Sequence, residues 1–563
     1  MTSPQNTAEL NEILGQALAQ SLSLTGVEHV VLSPGARSTP LTLGVAQIKA
    51  LQKHIIIDER AAAYFAMGIG KASQLPACLI STSGTAVANY FPAVIEANQS
   101  QTPLLILTAD RPPELQNVGA NQTILQKDMY SAFVKYNLTL TPPDGHVSPE
   151  GIQQIIYNLL KISCEEPAGP VHLNIQLREP LVAEHPKQHN LQLQKLELPQ
   201  PRHDISKISI EQVRRKLNLE NGILIAGRGL TSKAAMSLLQ LSNQTGWPIF
   251  PDILSGLRMK NHPNIIHYFD ILLKTNSGIS FKNVVHFGGP FVSKVLLQKI
   301  EASDLDNYVH VHPLDERQDP SGKVNLRVKA SVETFLNVLV KSEFSMTTHV
   351  EPWQKLNASI EQQFNVLPQL NTMLTEPSIA RLLSAIVPKD HVLFSANSMP
   401  IRNFDSFSKE RIDAPPFYGN RGVSGIDGNI ATALGISIAE KKPITLLIGD
   451  LSVLHDIHSL TYLKNHPYPV SIILINNGGG GIFSFLPIAK RDDVFDPYFS
   501  TPHDFDFTKL SDFLDVPIVD ILSIDSLKEQ VLKTSNTQTT IYHIRTNRQE
   551  NVDIHREILD SFV

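Results

Sequence analysis

Asp450, Asn477 and the glycine run at 478–481 are the residues of this 563-residue chain whose types and spacing point most directly to chemistry. A carboxylate, an amide oxygen and a backbone carbonyl from the glycine run can furnish part of an octahedral Mg2+ shell, which phosphate oxygens and water usually complete. Consecutive glycines also let the backbone approach a diphosphate closely. An ordinary strand–helix–strand unit with polar strand ends has the same outline, so the remaining chain has to agree.

The elements that must position these residues are legible around them. The apolar run Ile444–Ile448 ends at Gly449-Asp450, and a second, Val470–Ile475, ends at Asn476-Asn477. Between them, Leu454, Ile457, Leu460 and Leu463 follow a helical period. Strand, helix and strand form a βαβ unit, which opens both strand ends on one edge of a parallel sheet.

The N-terminal third repeats that plan. After an amphipathic helix at 8–22, strands are expected at 29–32, 54–57, 77–81 and 104–108, with a closing strand at 171–175. They end at Ser33-Pro34-Gly35-Ala36-Arg37-Ser38, Asp58-Glu59-Arg60, Thr82-Ser83-Gly84 and Asp110-Arg111. Polar residues at the carboxyl ends of parallel strands mark the ligand edge of an open α/β sheet. Residues 181–206 lack apolar periodicity and read as a linker. A second α/β region follows, with strands at 222–226, 284–287 and 308–312. Its Gly227-x-Gly229 lacks the third glycine and the acidic partner of a dinucleotide site, so a structural role and a weak nucleotide signal both stand. A polar helical stretch at 350–375 precedes the last region, where a strand at 391–395 ends at Ser398 and Arg402, and Arg421 to Gly428 leads into a small-residue helix. The shared plan of the first and last regions suggests distant duplication.

Charged residues at 18% and hydrophobic ones at 42% describe a soluble globular chain, and its length calls for several domains. No run is long and apolar enough to span a membrane, and the first residues do not read as a signal peptide, so a cytoplasmic location is expected. A net charge of −6 without basic runs argues against nucleic acid. Two cysteines, Cys78 and Cys164, without metal-site spacing fit a reducing compartment.

Together the motifs resemble those of the thiamine diphosphate (ThDP)-dependent 2-oxoacid decarboxylase and acetohydroxyacid synthase superfamily. The stretches S-P-G-A-R-S-T-P-L, D-E-R-A-A, T-S-G-T-A, A-D-R-P-P-E-L, G-A-N-Q-T-I, N-R-G-V-S-G-I-D-G and G-D-L-S-x-L-H-D are most similar to the 2-succinyl-5-enolpyruvyl-6-hydroxy-3-cyclohexene-1-carboxylate (SEPHCHC) synthase family of menaquinone biosynthesis. Leu451 replaces the superfamily's second glycine, as is usual in this family; Ala36 stands where many members carry serine, a lost hydrogen bond that Ser38 could take over. The resemblance implies an α/β chain of three doubly wound parallel-sheet domains with the ThDP-binding fold. The expected bounds are a pyrimidine-binding domain at 1–185, a linker at 186–206, a central domain at 207–350 and a diphosphate-binding domain at 351–563.

It further implies a transferase that decarboxylates 2-oxoglutarate and adds the four-carbon carbanion 1,4 to isochorismate. The cofactors would be ThDP with Mg2+, or Mn2+ in its place. Glu59 matches the carboxyl that hydrogen-bonds the pyrimidine N1′ of ThDP, although a helix-start carboxylate looks the same. Asp450, Asn477 and the Gly479 carbonyl match the metal ligands. Thr82, Gly84, Ser398, Gly425, Gly449, Leu451, Ser452 and Gly480 are the further cofactor contacts that the resemblance implies. Ile426 matches the apolar wedge under the cofactor, and Ile482 and Phe483 a wall beside it, with core packing as the alternative for all three. Two dicarboxylate substrates call for several cations, and Arg37, Arg111, Lys294, Arg402 and Arg421 are the candidates. Ala36, Ser38, Asn121, Gln122, Ser398 and Leu486 are their expected neighbours, with Ile482 and Phe483 also facing substrate. A homodimer or homotetramer with active sites at the subunit interface is expected, with no nucleic-acid partner. Two rivals remain: an FAD-containing acetohydroxyacid synthase, and a non-catalytic ThDP-fold protein.

Overall fold

The computed structural model describes residues 4–198, 207–275, 278, 280–314 and 317–562. The expected linker at 186–206 therefore lies partly outside the described residues. Three parallel sheets carry the chain, in agreement with the three α/β domains expected.

The first sheet comprises β1 (His29–Leu32), β2 (Gln52–Ile55), β3 (Cys78–Ser81), β4 (Leu104–Asp110), β5 (Tyr136–Leu140) and β6 (Pro170–Gln176), in the order β2-β1-β3-β4-β6-β5. The second comprises β7 (Gly222–Ala226), β8 (Ile249–Pro251), β9 (Asn283–Phe287), β10 (Asn307–His312) and β11 (Leu326–Lys329), in the order β11-β10-β9-β7-β8. The third comprises β12 (Val392–Ser395), β13 (Phe417–Gly419), β14 (Ile444–Gly449), β15 (Val470–Asn476), β16 (Ile518–Asp520) and β17 (Thr540–Arg545), in the order β13-β12-β14-β15-β17-β16. Counted from its own first strand, the third sheet has the same order as the first, which is the pattern a duplication leaves. Inner strands such as β3, β4 and β14 are buried throughout or nearly so, as helix-covered parallel strands must be.

The chain gathers into two compact units. One contains the first 201 residues together with Asn420–Lys441 and His455–Tyr468; the other contains the remainder. Within the first unit, the helices Glu59–Ser73 and Asn429–Glu440 cross closely. A Cβ on Gly68 would lie 2.3 Å from the Thr432 carbonyl oxygen, and one on Gly435 would lie 2.0 Å from that of Phe65. This explains why both helices are rich in small residues: any side chain at these two points would push the backbones apart.

The structure moves some expected boundaries. β2 runs over 52–55 rather than 54–57; beyond it the Ile56 amide still donates to the Leu32 carbonyl at 2.9 Å, and the Ile57 amide, on the other side, donates to the Tyr462 hydroxyl at 2.7 Å. The helix expected across 454–463 is a short α-helix, Asp450–His455, followed by a 3-10 segment, Ile457–Tyr462.

Candidate active site

Glu59 opens the helix Glu59–Ser73, with Asp58 as its cap: Asp58 Oδ1 accepts from the Ala61 amide at 2.9 Å. The carboxyl is thus a helix-start residue by position and half-buried by environment. The segment is pinned on both sides. Ile57 is held by Tyr462, and Arg60 Nη2 donates to the His455 carbonyl at 2.7 Å.

Three more strand ends of the first sheet are knitted to one another. The Arg37 amide donates to Thr82 Oγ1 at 3.3 Å, and a Cβ on Gly35 would meet Thr82 Cβ at 2.3 Å, so only glycine permits this approach. Ser83 Oγ accepts from Arg111 Nη1 at 2.9 Å, and the Ser83 carbonyl accepts from Gln122 Nε2 at 2.9 Å. Gly84, at φ +83, is fixed by the buried Gln126, whose Oε1 accepts from the Gly84 amide at 2.9 Å. The structure thus brings Arg37, Ser38, Thr82, Gly84, Arg111 and Gln122 to one edge, with Asn121 exposed beside Gln122.

Two of the expected residues have internal hydrogen-bond partners at this edge. Arg37 is buried and paired, with Nη1 donating to the Leu177 carbonyl at 3.1 Å and Nη2 to Glu179 Oε1 at 2.6 Å. Its guanidinium therefore has an internal carboxylate partner, while burial and then the Arg37 charge push the Arg111 pKa down from its usual range. Ser38, beside Ala36, is buried, and its Oγ donates to the Gly35 carbonyl at 2.9 Å.

In the second unit, Gly449 pairs with Ile475 in the β14–β15 register, so Asp450 and Asn477 emerge from adjoining strand ends. Asp450 is buried, and burial raises its carboxyl pKa, an effect countered by three donors. Oδ1 accepts from the Leu451 amide at 2.7 Å; Oδ2 accepts from the Gly479 amide at 3.0 Å and faces His503 Nε2 at 3.1 Å. Asn477 Nδ2 donates to Glu376 Oε1 at 3.1 Å. Its Oδ1 is buried and accepts no hydrogen bond among the described residues. A buried carbonyl oxygen without a donor is costly unless something electropositive meets it, and a divalent cation does so.

The surrounding backbone fits a close-approaching ligand. Gly478 and Gly479 sit at φ +70 and +143, and a Cβ on Gly479 would lie 2.2 Å from the Ser500 carbonyl oxygen. A Cβ on Gly449 would meet nothing within 4 Å, which leaves open space beside Asp450. Ser452 is buried on the helix that Asp450 starts, and Leu451 half-buried. Gly480 donates to the Ser500 carbonyl at 2.7 Å, and Ile482 and Phe483 form a half-buried 3-10 turn, with Phe483 edge-on to Phe499 and Leu486 exposed.

Ser398 follows β12 with φ +71 and ψ −126, a conformation nearly confined to glycine and costing about 1–3 kcal/mol for other residues. Arg402 Nη1 donates to the Ser398 carbonyl, which holds the guanidinium over this strained turn. Arg421, Gly425 and Ile426 lie in the half-buried loop between β13 and the helix Asn429–Glu440, within the first unit. Lys294 is exposed at the first position of the helix Lys294–Ala302, after the second sheet's β9.

The central sheet's Gly227-x-Gly229 has a packing explanation. The Gly289 amide donates to the Arg228 carbonyl at 2.9 Å, and His286 Nε2 is 3.0 Å from the Gly289 carbonyl. A Cβ on Gly227 would lie 2.0 Å from that same oxygen. The turns after β7 and β9 therefore close on each other, which accounts for Gly227 without a phosphate, while Gly229 sits at φ +79.

Sequence reasoning missed Glu376 and His503. Glu376 sits at the start of a distant helix, Glu376–Ile386, and nothing in its local sequence announces Asn477 as a neighbour.

Comparison with known proteins agrees with this geometry. Models described as thiamine pyrophosphate enzyme, N-terminal TPP binding domain, as middle domain of thiamine pyrophosphate, and as thiamine pyrophosphate enzyme, C-terminal TPP binding domain match residues 13–130, 192–395 and 410–542. Proteins named 2-succinyl-5-enolpyruvyl-6-hydroxy-3-cyclohexene-1-carboxylate synthase are similar over nearly the whole chain. That of Chlorobium phaeobacteroides is 37% identical over 98% of this chain and 98% of its own. That of Salinibacter ruber is 35% identical over 96% and 94%, and that of Listeria welshimeri 35% over 97% and 96%.

Proposed function

Because the chain belongs to the SEPHCHC synthase family of thiamine diphosphate enzymes, we propose that it is the transferase that decarboxylates 2-oxoglutarate and adds the remaining four-carbon unit, in 1,4 fashion, to isochorismate for menaquinone synthesis in the cytoplasm. The observation that carries this reading is the buried Asn477 Oδ1, which accepts no hydrogen bond among the described residues, at the strand end beside Asp450. ThDP, when bound, supplies the nucleophilic carbon and the electron sink that both steps need.

The chain's own residues then divide the work. Asp450, Asn477 Oδ1 and the Gly479 carbonyl would hold Mg2+, or Mn2+, with the diphosphate, and Gly449 leaves open space beside them. Glu59 holds a proton at the pyrimidine N1′, while the Thr82–Gly84 turn borders that ring. Ile426, Ile482 and Phe483 present apolar surface around the thiazolium. Arg111, Arg402 and Arg421 orient substrate carboxylates, each through a fork of donors suited to a planar anion. Arg37, paired with Glu179 through Nη2, is the further candidate for a substrate carboxylate at the same strand ends. One cofactor must meet Glu59 and Asp450 together, and each site takes Glu59 from one protomer and Asp450 from its partner in a homodimer or homotetramer.

The test is direct. Purified protein with ThDP, Mg2+, 2-oxoglutarate and isochorismate is expected to release CO2 and give SEPHCHC, identified by mass spectrometry. Condensation of pyruvate under the same conditions, with 2-oxoglutarate left untouched, would overturn the reading in favour of an acetohydroxyacid synthase.

A further inference from the structure

Glu96 lies on the helix Phe91–Gln99 of the first unit and is buried, with a relative exposure of 1%. Its two carboxylate oxygens take two successive backbone amides of the loop that carries Arg421. Oε1 accepts from the Gly422 amide at 2.7 Å, and Oε2 accepts from the Val423 amide at 2.7 Å. Lys71 Nζ stands 3.7 Å from Glu96 Oε1 and donates to Asn420 Oδ1 at 2.9 Å, so the residue on the other side of Arg421 is tied to the same cluster. Asn420 and Glu96 are both buried, and half-buried Arg421 stands between their attachments.

The approach is close enough to dictate the loop sequence. A Cβ on Gly422 would lie 2.6 Å from the Glu96 carbonyl oxygen and 2.8 Å from its carboxyl carbon. Only glycine lets both amides reach the carboxylate. Charge-assisted bonds of this length to adjacent amides fix the direction of the chain there.

The rest of the loop has separate fastenings. Tyr64 OH donates to Asp427 Oδ2 at 2.7 Å, and Asn429 Nδ2 donates to the Ile426 carbonyl at 2.9 Å. Asp456 Oδ2 accepts from the Ile430 amide at 2.8 Å. Ile426 is therefore held by residues other than Glu96, and Glu96 with Lys71 holds the Arg421 end.

We propose that Glu96 is a positioning residue for Arg421: chelation of the Gly422 and Val423 amides aims the guanidinium at a substrate carboxylate. The inference rests on the reading of Arg421 as a substrate-binding residue. Because the Ile426 end is fastened independently, loss of Glu96 acts on substrate use and spares the cofactor.

Glu96→Gln keeps the shape and loses one acceptor, since its amide nitrogen cannot accept from a backbone N–H. It is expected to raise the KM for 2-oxoglutarate or isochorismate at least fivefold, with ThDP affinity by calorimetry within twofold of wild type. In an Arg421→Ala background, Glu96→Gln is expected to add less than a twofold further loss in kcat/KM. Gly422→Ala, which pushes the loop off an intact Glu96, is expected to reproduce the KM effect, and it serves as the test if Glu96→Gln does not fold. Independent, multiplying losses in the double mutant, or parallel losses of ThDP and substrate binding in both single variants, would overturn the proposal and leave Glu96 a packing group. If Arg421→Ala is impaired while Glu96→Gln and Gly422→Ala are silent, the positioning role alone is wrong. If Arg421→Ala itself uses both substrates normally, the substrate role of Arg421 falls and the proposal with it.

Discussion

Glu376 decides which end of the Asn477 amide is left open. Its Oε1 accepts from Asn477 Nδ2 at 3.1 Å and from Thr546 Oγ1 at 3.2 Å, so the amide nitrogen is spoken for while the carbonyl oxygen has no donor among the described residues. An asparagine at a strand end could present either group. A carboxylate behind it selects the orientation that suits a cation, as the outer partners of metal ligands commonly do.

This relationship predicts a graded loss of metal-dependent cofactor binding. Asp450→Asn removes an anionic ligand and is expected to weaken ThDP binding about tenfold or more at matched Mg2+, on the order of 1.4 kcal/mol. Glu376→Leu removes no metal ligand itself, yet is expected to raise the Mg2+ concentration needed for half-maximal ThDP binding about tenfold, because the Asn477 amide is no longer held. Calorimetry over a Mg2+ series checks both. Wild-type behaviour of Asp450→Asn would mean that the metal is held elsewhere.

Glu59→Gln should separate cofactor binding from activation. The glutamine fills the same space at the helix start but cannot share a proton with the pyrimidine N1′. ThDP affinity is expected to stay close to wild type while hydrogen–deuterium exchange at C2 of the bound cofactor slows by orders of magnitude. Exchange at the unmutated rate would remove Glu59 from the mechanism.

Asp456 gives a pH-dependent stability term with a definite sign. Burial pushes its carboxyl pKa up to about 6, although Ser459 Oγ, the Ile430 and Ala431 amides and Arg60 favour the charged form. A carboxyl that binds its proton more tightly when folded stabilises the fold most at low pH, and that stability is lost as pH rises from the unfolded value toward about 6. Between pH 5 and 7 the loss from this group is on the order of 1 kcal/mol. Asp456→Asn lacks the term, so the stability of wild type relative to the variant should fall by that amount over the same range. Urea midpoints at several pH values would show it, and a constant difference would exclude it.

Shared sites predict complementation between inactive chains. Glu59→Gln and Asp450→Ala chains, mixed and allowed to exchange, place both lesions in one site of a mixed dimer and leave the other intact. Random pairing from equal amounts should restore about a quarter of wild-type activity. Background activity after exchange has been verified by tagged co-purification would mean that each site is built within one chain.

The amino-acid sequence by itself determined the three parallel sheets and the polar residues at their carboxyl ends. Inner strands of covered parallel sheets are continuous apolar runs, and they stop abruptly where Asp450 and Asn477 follow. The edge strands β5, β11, β13 and β16 escaped notice because they are short or half-exposed and carry no such run; buried β8 has only three residues, and the inner strand β17 interrupts its apolar residues with Thr540 and His543. Tertiary structure alone decided what each polar residue faces. Arg37 reads as a substrate binder from its motif, but Glu179 arrives from the turn after β6 and pairs with it. Gly227 and Gly229 read as a faint nucleotide loop, but Gly289 closes against the same turn. Glu96 reads as one more helical glutamate until the Gly422 and Val423 amides meet it. Periodicity is a local property, set by which face of a strand or helix is buried. The partner of a buried charge is set by chain segments hundreds of residues apart, and only their packing brings the desolvated group and its donor together.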